Sequence, residues 1–341
     1  IENARAQRFE AIIDVDHTLQ RCRLTFTQTV TPGEWHLVII FQGVLNDKLR
    51  GFYRSTYQDA SGITQTMAAT QFEATDARRA FPCWDEPDFK AVFATTLVID
   101  PRLTAVSNTS VALESIEAGK KVVRFADSIK MSTYLVAFIV GELEASAPVS
   151  VGRTPIRLWT IPGKQALTPF GREIAAASLK FFEEYYGIAY PGDKLDLLAI
   201  PDFASGAMEN LGAITFRETA LLVDEQTGTH AERERVADVV AHENAHMWFG
   251  DLVTMAWWDN LWLNEGFASW MGTKVTDALN PDWKIWLRAN TQKNNSMALD
   301  ARRTTHPIQR PIPTPGTAPS ITSTPVASTP AAVSKSCSPA G

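Results

Sequence analysis

Apolar positions over the first 147 residues recur in part at every second place, the spacing of half-buried strands. Residues 8–15 and 23–27 alternate in part, Thr31-Pro32-Gly33-Glu34 reads as a turn, and residues 36–41 are expected as a further strand. Residues 89–99, 121–125 and 132–140 continue the pattern with no long helical period between them. Short strands with turn signals predict a sheet-on-sheet, β-sandwich-like domain over residues 1–148. After Gly152-Arg153-Thr154-Pro155 the period changes. Residues 156–161, 195–200 and 213–216 read as strands, and 171–186 as an amphipathic helix stopped by Gly187. Residues 232–249 and 264–279 read as two more helices. A small sheet followed by helices predicts an α+β domain over residues 149–310. From Pro311 the period vanishes. Residues 311–341 hold seven of the nineteen prolines and one charged residue, Lys335, so a disordered tail is expected there.

The 341 residues are long enough for two cores, and 45% hydrophobic with 21% charged residues is ordinary for a globular chain. A net charge of −6 gives no reason to expect nucleic acid or an anionic membrane as partner. No run of apolar residues is long enough to span a bilayer. Cys22, Cys83 and Cys337 form no C-x-x-C, which argues against a disulfide framework or a thiolate zinc site and leans toward the cytoplasm. The chain starts at Ile1 without a Met or an apolar leader, so a fragment is expected.

The chemistry concentrates in His242-Glu243-Asn244-Ala245-His246. Histidines four apart on a helix face the same side, where one metal ion can take both imidazoles. Eighteen residues later Glu265 offers a carboxylate. A His-His-carboxylate set leaves a fourth tetrahedral position to water, as in a catalytic zinc site, with Glu243 within reach of that water. The loop from Thr70 to Pro87 carries Glu73, Asp76, Asp85, Glu86, Arg78 and Arg79 around an aromatic-proline core. By pattern alone it reads as a salt-bridged connection between strands.

Gly206-Ala207-Met208-Glu209-Asn210, the H-E-x-x-H stretch and Glu265 together resemble the aminopeptidase N family of zinc exopeptidases. Residues 46–53, the Gln71–Pro87 loop and Trp248-Phe249-Gly250-Asp251 match as well, so the resemblance covers roughly residues 1–310 and is nearest to bacterial alanyl aminopeptidases. It implies a saddle-like β domain ahead of a partial thermolysin-like catalytic domain. It further implies one Zn2+ on His242, His246 and Glu265, with Glu243 as general base toward the zinc-bound water. Glu73 and Glu209 would clasp the α-ammonium of a peptide, Gln71 would shape the first side-chain pocket, and Gly206, Ala207, Met208 and Asn210 would complete the substrate-binding loop. The expected partners are peptides with a free N-terminal amine.

Two departures stand out. Asn244 occupies a place where relatives carry an apolar residue, and it lies off the ligand face. The family's oxyanion-stabilising tyrosine follows the glutamate ligand, whereas all six tyrosines here precede Glu209. Loss of one oxyanion donor typically costs about a hundred- to a thousandfold in turnover. The chain is therefore expected to be C-terminally truncated and impaired, with a zinc-containing, catalytically dead peptide-binding fragment as the alternative. An epoxide-hydrolysing relative would carry Gln at position 73 and Gly at 207, and an endopeptidase would have no use for an amine clasp.

Overall fold

The computed structural model describes residues 1–3, 7–309 and 311–313; most of the expected tail, residues 314–341, lies outside them. The first domain is built around a hairpin. Gly51–Gln58 and Thr64–Gln71 pair antiparallel over their whole length, Gly51 opposite Gln71, with Tyr53, Met67 and Ala69 turned into the core. Phe138–Gly141 and Thr104–Ser107 extend this pair to four strands. A second sheet of Thr96–Ile99, Lys120–Phe125 and Val111–Glu117 packs on it, Val123 and Phe125 meeting Ala105. The sheet-on-sheet expectation holds for this stretch, because alternation there has a second layer to bury against.

Several expected strands are shorter. Of residues 36–41 only His36 is in a strand, through the two-residue pairing of Trp35–His36 with Glu2–Asn3. Beyond it no described strand lies opposite, and Val38 and Ile40 are 76% and 96% exposed. An apolar run without a neighbouring ladder has nothing to satisfy its backbone as a strand. Residues 89–99 shrink to Thr96–Ile99, and 132–140 split into a 3-10 turn at Thr133–Leu135 and the strand from Phe138. At the split Asn108 replaces the ladder: its Nδ2 donates to Leu135 O at 2.8 Å, and its Oδ1 accepts from Ala137 N at 2.9 Å. Ala11–Asp16 does pair with Arg21–Phe26, yet most of both strands face solvent.

The chain enters the second domain's sheet at Glu144–Ala145, ahead of residue 149 where that domain is expected to begin. The central strands Thr154–Thr160, Leu195–Ile200 and Ala213–Arg217 run parallel, and Ala207–Met208 adds an antiparallel edge. Every residue of Leu195–Ile200 is buried, as expected of a continuous apolar run between layers. The three expected helices form as α1 (Pro169–Tyr186), α2 (His230–His246) and α3 (Leu261–Leu279), and a fourth that the pattern did not mark, α4 (Ile285–Asp300), follows them. Gly187 ends α1 in the left-handed conformation, at φ 65°. One continuous core runs from Tyr53 and Phe72 through Leu197 and Ile214 to Val240 and Met271, so the two domains share it. At their seam Gly212 has φ +75°, and a Cβ there would stand 2.0 Å from Asn108 O.

Candidate active site

Helix α2 starts firmly. Thr229 and Glu232 form a reciprocal capping box, Glu232 N donating to Thr229 Oγ1 at 3.2 Å and Thr229 N to Glu232 Oε2 at 2.8 Å. At its far end His242 and His246 stand one turn apart with their Nε2 atoms 2.9 Å from each other. Helix α3 crosses behind at Gly272, where any side chain would crowd the His242 backbone. That crossing brings Glu265 in, its Oε2 3.4 Å from His242 Nε2 and its Oε1 3.8 Å from His246 Nε2. The three residues form a group able to hold a metal ion. His246 Nδ1 lies 2.9 Å from Phe249 O, and a carbonyl only accepts, so Nδ1 carries the proton and Nε2 keeps its lone pair for the centre.

Asn244, on the other side of α2, donates from Nδ2 to Ala175 O at 3.0 Å and Ser178 Oγ at 2.7 Å on α1. It holds the helix against its neighbour, as its place off the ligand face led us to expect.

Acidic residues gather around the imidazoles. Oxygens of Glu209 and Glu243 come within 4.8 Å of each other and of His246, and those of Glu73 and Glu209 within the same distance of Glu265. Glu73, Glu209 and Glu243 are almost fully buried. Both oxygens of Glu73, Oε1 of Glu209 and Oε2 of Glu243 have no hydrogen-bond partner. Burial, reinforced by neighbouring carboxylates, pushes Glu73 and Glu209 well above the ordinary glutamate range. Burial also raises Glu243, to about 8, with Glu265 adding to it and His242 opposing. Burial disfavours charge on His242, but its ion pair with Glu265 and the charges of Glu243 and Asp238 outweigh that and hold it near 9. Burial lowers His246 to about 4.

The loop that pattern reading left as a salt-bridged connection is that and more. Arg78 Nε binds Asp85 Oδ2 at 2.7 Å and Arg79 pairs with Asp76, which pins the loop from outside. Inside it, Gln71 closes the strand Thr64–Gln71 and Glu73 follows two residues on. Gln71 Nε2 lies 3.4 Å from Met208 Sδ, joining the loop to the 206–210 segment. Ala207 and Met208 pair with Phe216 and Thr215, and Gly206 O accepts from Arg217 N at 2.9 Å. Asn210 faces away from the acids: its Nδ2 donates to Leu135 O at 3.2 Å and its Oδ1 accepts from Thr215 Oγ1 at 3.0 Å. Its amide braces the loop against the first domain and is not free for a ligand.

Sequence reasoning gave no role to Asp251. Both its carboxylate oxygens are buried without a partner, and its backbone N–H is bonded to His246 O at 3.0 Å. Burial and Glu209 raise it well above the usual range. The one signal was its place in Trp248-Phe249-Gly250-Asp251.

Residues 2–135 match the Peptidase M1 N-terminal domain, and residues 170–324 match the Peptidase family M1 domain. The chain belongs to the M1 peptidase family. It is 48% identical to Aminopeptidase M1-A of Oryza sativa subsp. japonica over 286 residues, 84% of this chain and 32% of that relative. It is 48% identical to the Alanine/arginine aminopeptidase of Saccharomyces cerevisiae over 317 residues, 91% of this chain and 37% of the relative. The Puromycin-sensitive aminopeptidase of Caenorhabditis elegans is 47% identical over 303 residues, 88% and 33% of the two chains. These relatives are from a plant, a yeast and a nematode. The M1 chain spans about a third of the length of the curated relatives it matches.

Proposed function

We propose that this chain carries the zinc-binding and amine-recognising part of an aminopeptidase that removes the N-terminal residue from peptides. The observation that carries this reading is the pair of buried, unpartnered carboxylates of Glu73 and Glu209 beside the His242, His246 and Glu265 trio. Two buried like charges repel and hold protons unless a cation lies between them. A peptide α-ammonium is such a cation, and its three N–H donors match the orphan oxygens. Seated there, it fixes how far the first peptide bond lies from the trio. A chain blocked at its amine brings no charge, which argues against endopeptidase action.

The trio fits zinc. Two imidazole nitrogens and a carboxylate oxygen are its ordinary donors, and here the three ligand atoms all lie within 4.8 Å of one another. His242, His246 and Glu265 would hold the ion, which when bound supplies Lewis acidity and acidifies water toward a pKa of about 7. Glu243 Oε2, buried and unpartnered, is the atom placed to take a proton and return it to the leaving amine.

A second reading is a peptide-binding segment with slow turnover. It rests on the tyrosines: none of the six follows Glu265, and Tyr134, whose hydroxyl donates to Gly250 O at 3.2 Å, is already engaged. The test is hydrolysis of alanyl, leucyl and arginyl anilides, free and N-acetylated, by the zinc-loaded chain beside Glu243→Gln. Release from free-amine substrates alone, absent in the variant, supports the first reading. No release, with free-amine peptide still bound, supports the second. Equal handling of acetylated substrates sinks both.

A further inference from the structure

The two carboxylates of the proposed clasp come from different domains, so their separation depends on how the two domains are joined. Glu73 follows the strand Thr64–Gln71 of the first domain, while Glu209 lies in the 202–210 loop of the second. The partner of that strand is Gly51–Gln58, which forms the edge of its sheet; among the described residues its outer side is met by a single bridge, Asn46 to Tyr53. Asp202 occupies that edge. Its Oδ2 accepts from Thr56 N at 2.8 Å and from Thr56 Oγ1 at 3.2 Å, and its N–H donates to Ser55 Oγ at 2.9 Å. Its carbonyl accepts from Tyr53 Oη at 2.8 Å. From Asp202 the loop is tied down at each step toward Glu209. Arg217 donates to Phe203 O at 3.0 Å and Ala204 O at 2.5 Å, and Arg217 N to Gly206 O at 2.9 Å.

We propose that Asp202 is a positioning residue for the amine clasp: by docking the loop on the edge of the first domain's sheet, it sets the separation of Glu209 from Glu73. The inference rests on the reading of Glu73 and Glu209 as an ammonium site. The Asp202 carboxylate joins the two segments that carry the clasp through its bonds to Thr56. Without it the loop loses that hold on the first domain, the spacing of the two glutamates is no longer set, and a cation of fixed size is gripped by one at a time.

The test is the dissociation constant of trialanine and of N-acetyl-trialanine for the zinc-loaded chain, measured by calorimetry. If the unaltered chain shows no preference for the free amine, the clasp reading itself fails. Given that preference, Asp202→Ala is expected to reduce it about tenfold with zinc stoichiometry unchanged, whereas Asp202→Asn, which keeps an acceptor for Thr56 N, retains most of it. A merely structural aspartate would lower the melting temperature in both variants without moving the ratio of the two constants. An Asp202→Ala protein that folds and keeps the full ratio overturns the proposal. Should that variant fail to fold, Ser55→Ala, which removes the acceptor of the Asp202 N–H and the 3.5 Å bond from Ser55 Oγ to Asp202 Oδ2, takes its place. A fall of a few-fold in the ratio is then expected, and an unchanged ratio overturns the proposal.

Discussion

The imidazole side of the site and its carboxylate side are assembled in opposite ways. His242 and His246 sit one turn apart on α2, and Glu265 arrives on the next helix, α3, through a crossing that Gly272 makes close. Helix spacing and one interhelical contact set that side. Glu73 and Glu209, by contrast, come from two domains and meet only because a loop, a sheet edge and the Asn108–Asn210 network agree. The first arrangement is local and tolerant. The second is long-range and depends on the seam.

Substitutions separate the two sides, and the largest effect is expected beside the imidazoles. Glu243→Gln removes the proton acceptor and should lower anilide turnover about a hundred- to ten-thousandfold, with one zinc per chain still found by metal analysis. Retained turnover would take Glu243 out of the chemistry. Glu209→Gln should weaken free-amine peptide on the order of a hundredfold, since a buried charged partner is lost, and leave acetyl-peptide and zinc binding alone. If zinc binding fell as much as amine binding, the two sides would not be separable.

How legible each side was follows from the same difference. Residues 242–246 and 265 can be read from chain spacing because a helix converts sequence distance into space by a fixed rule. Nothing local marks Glu73. Its loop looked like a salt-bridged connection, which Arg78, Arg79, Asp76 and Asp85 do make, and only family resemblance singled out the buried acid among them. The α1, α2 and α3 helices and the strand Leu195–Ile200 were plain in the pattern. Residues 37–41 were not, because an apolar run reads the same with or without a partner strand. Asp251 and Asp202 went unread, since their meaning lies in who faces them.

Acidity gives a third, more modest contrast. Glu73 and Glu209 are raised in the folded protein by burial and then by neighbouring carboxylates, Glu209, Glu265 and Glu243 for Glu73 and Glu265 and Glu243 for Glu209. A group whose folded value is raised favours folding at pH below its unfolded value, and that support is lost as pH rises through the folded value. The metal-free, peptide-free chain should therefore lose melting temperature as pH climbs above the ordinary glutamate range. Free-amine peptide should bind more tightly over the same climb, as the carboxylates ionise, and weaken once its own amine deprotonates near pH 8. A melting temperature flat or rising through that window would contradict the buried, unpaired state of these acids. The smallest change expected is on the rear of α2. Asn244→Ala should lower stability to urea by about 1–2 kcal/mol through its bonds to Ala175 and Ser178, with zinc affinity unchanged. A comparable drop in zinc affinity would mean the two faces of α2 are coupled.

Gly212 bears on laboratory evolution of this scaffold. Its backbone is left-handed and the space above its Cα is filled by a carbonyl of the other domain. In a saturation library read out by folding, position 212 should return glycine alone, while Gly152, equally left-handed but with nothing near its missing Cβ, should admit asparagine or aspartate. An engineer working on this scaffold thus has room at Gly152 but none at the seam where Gly212 meets the first domain.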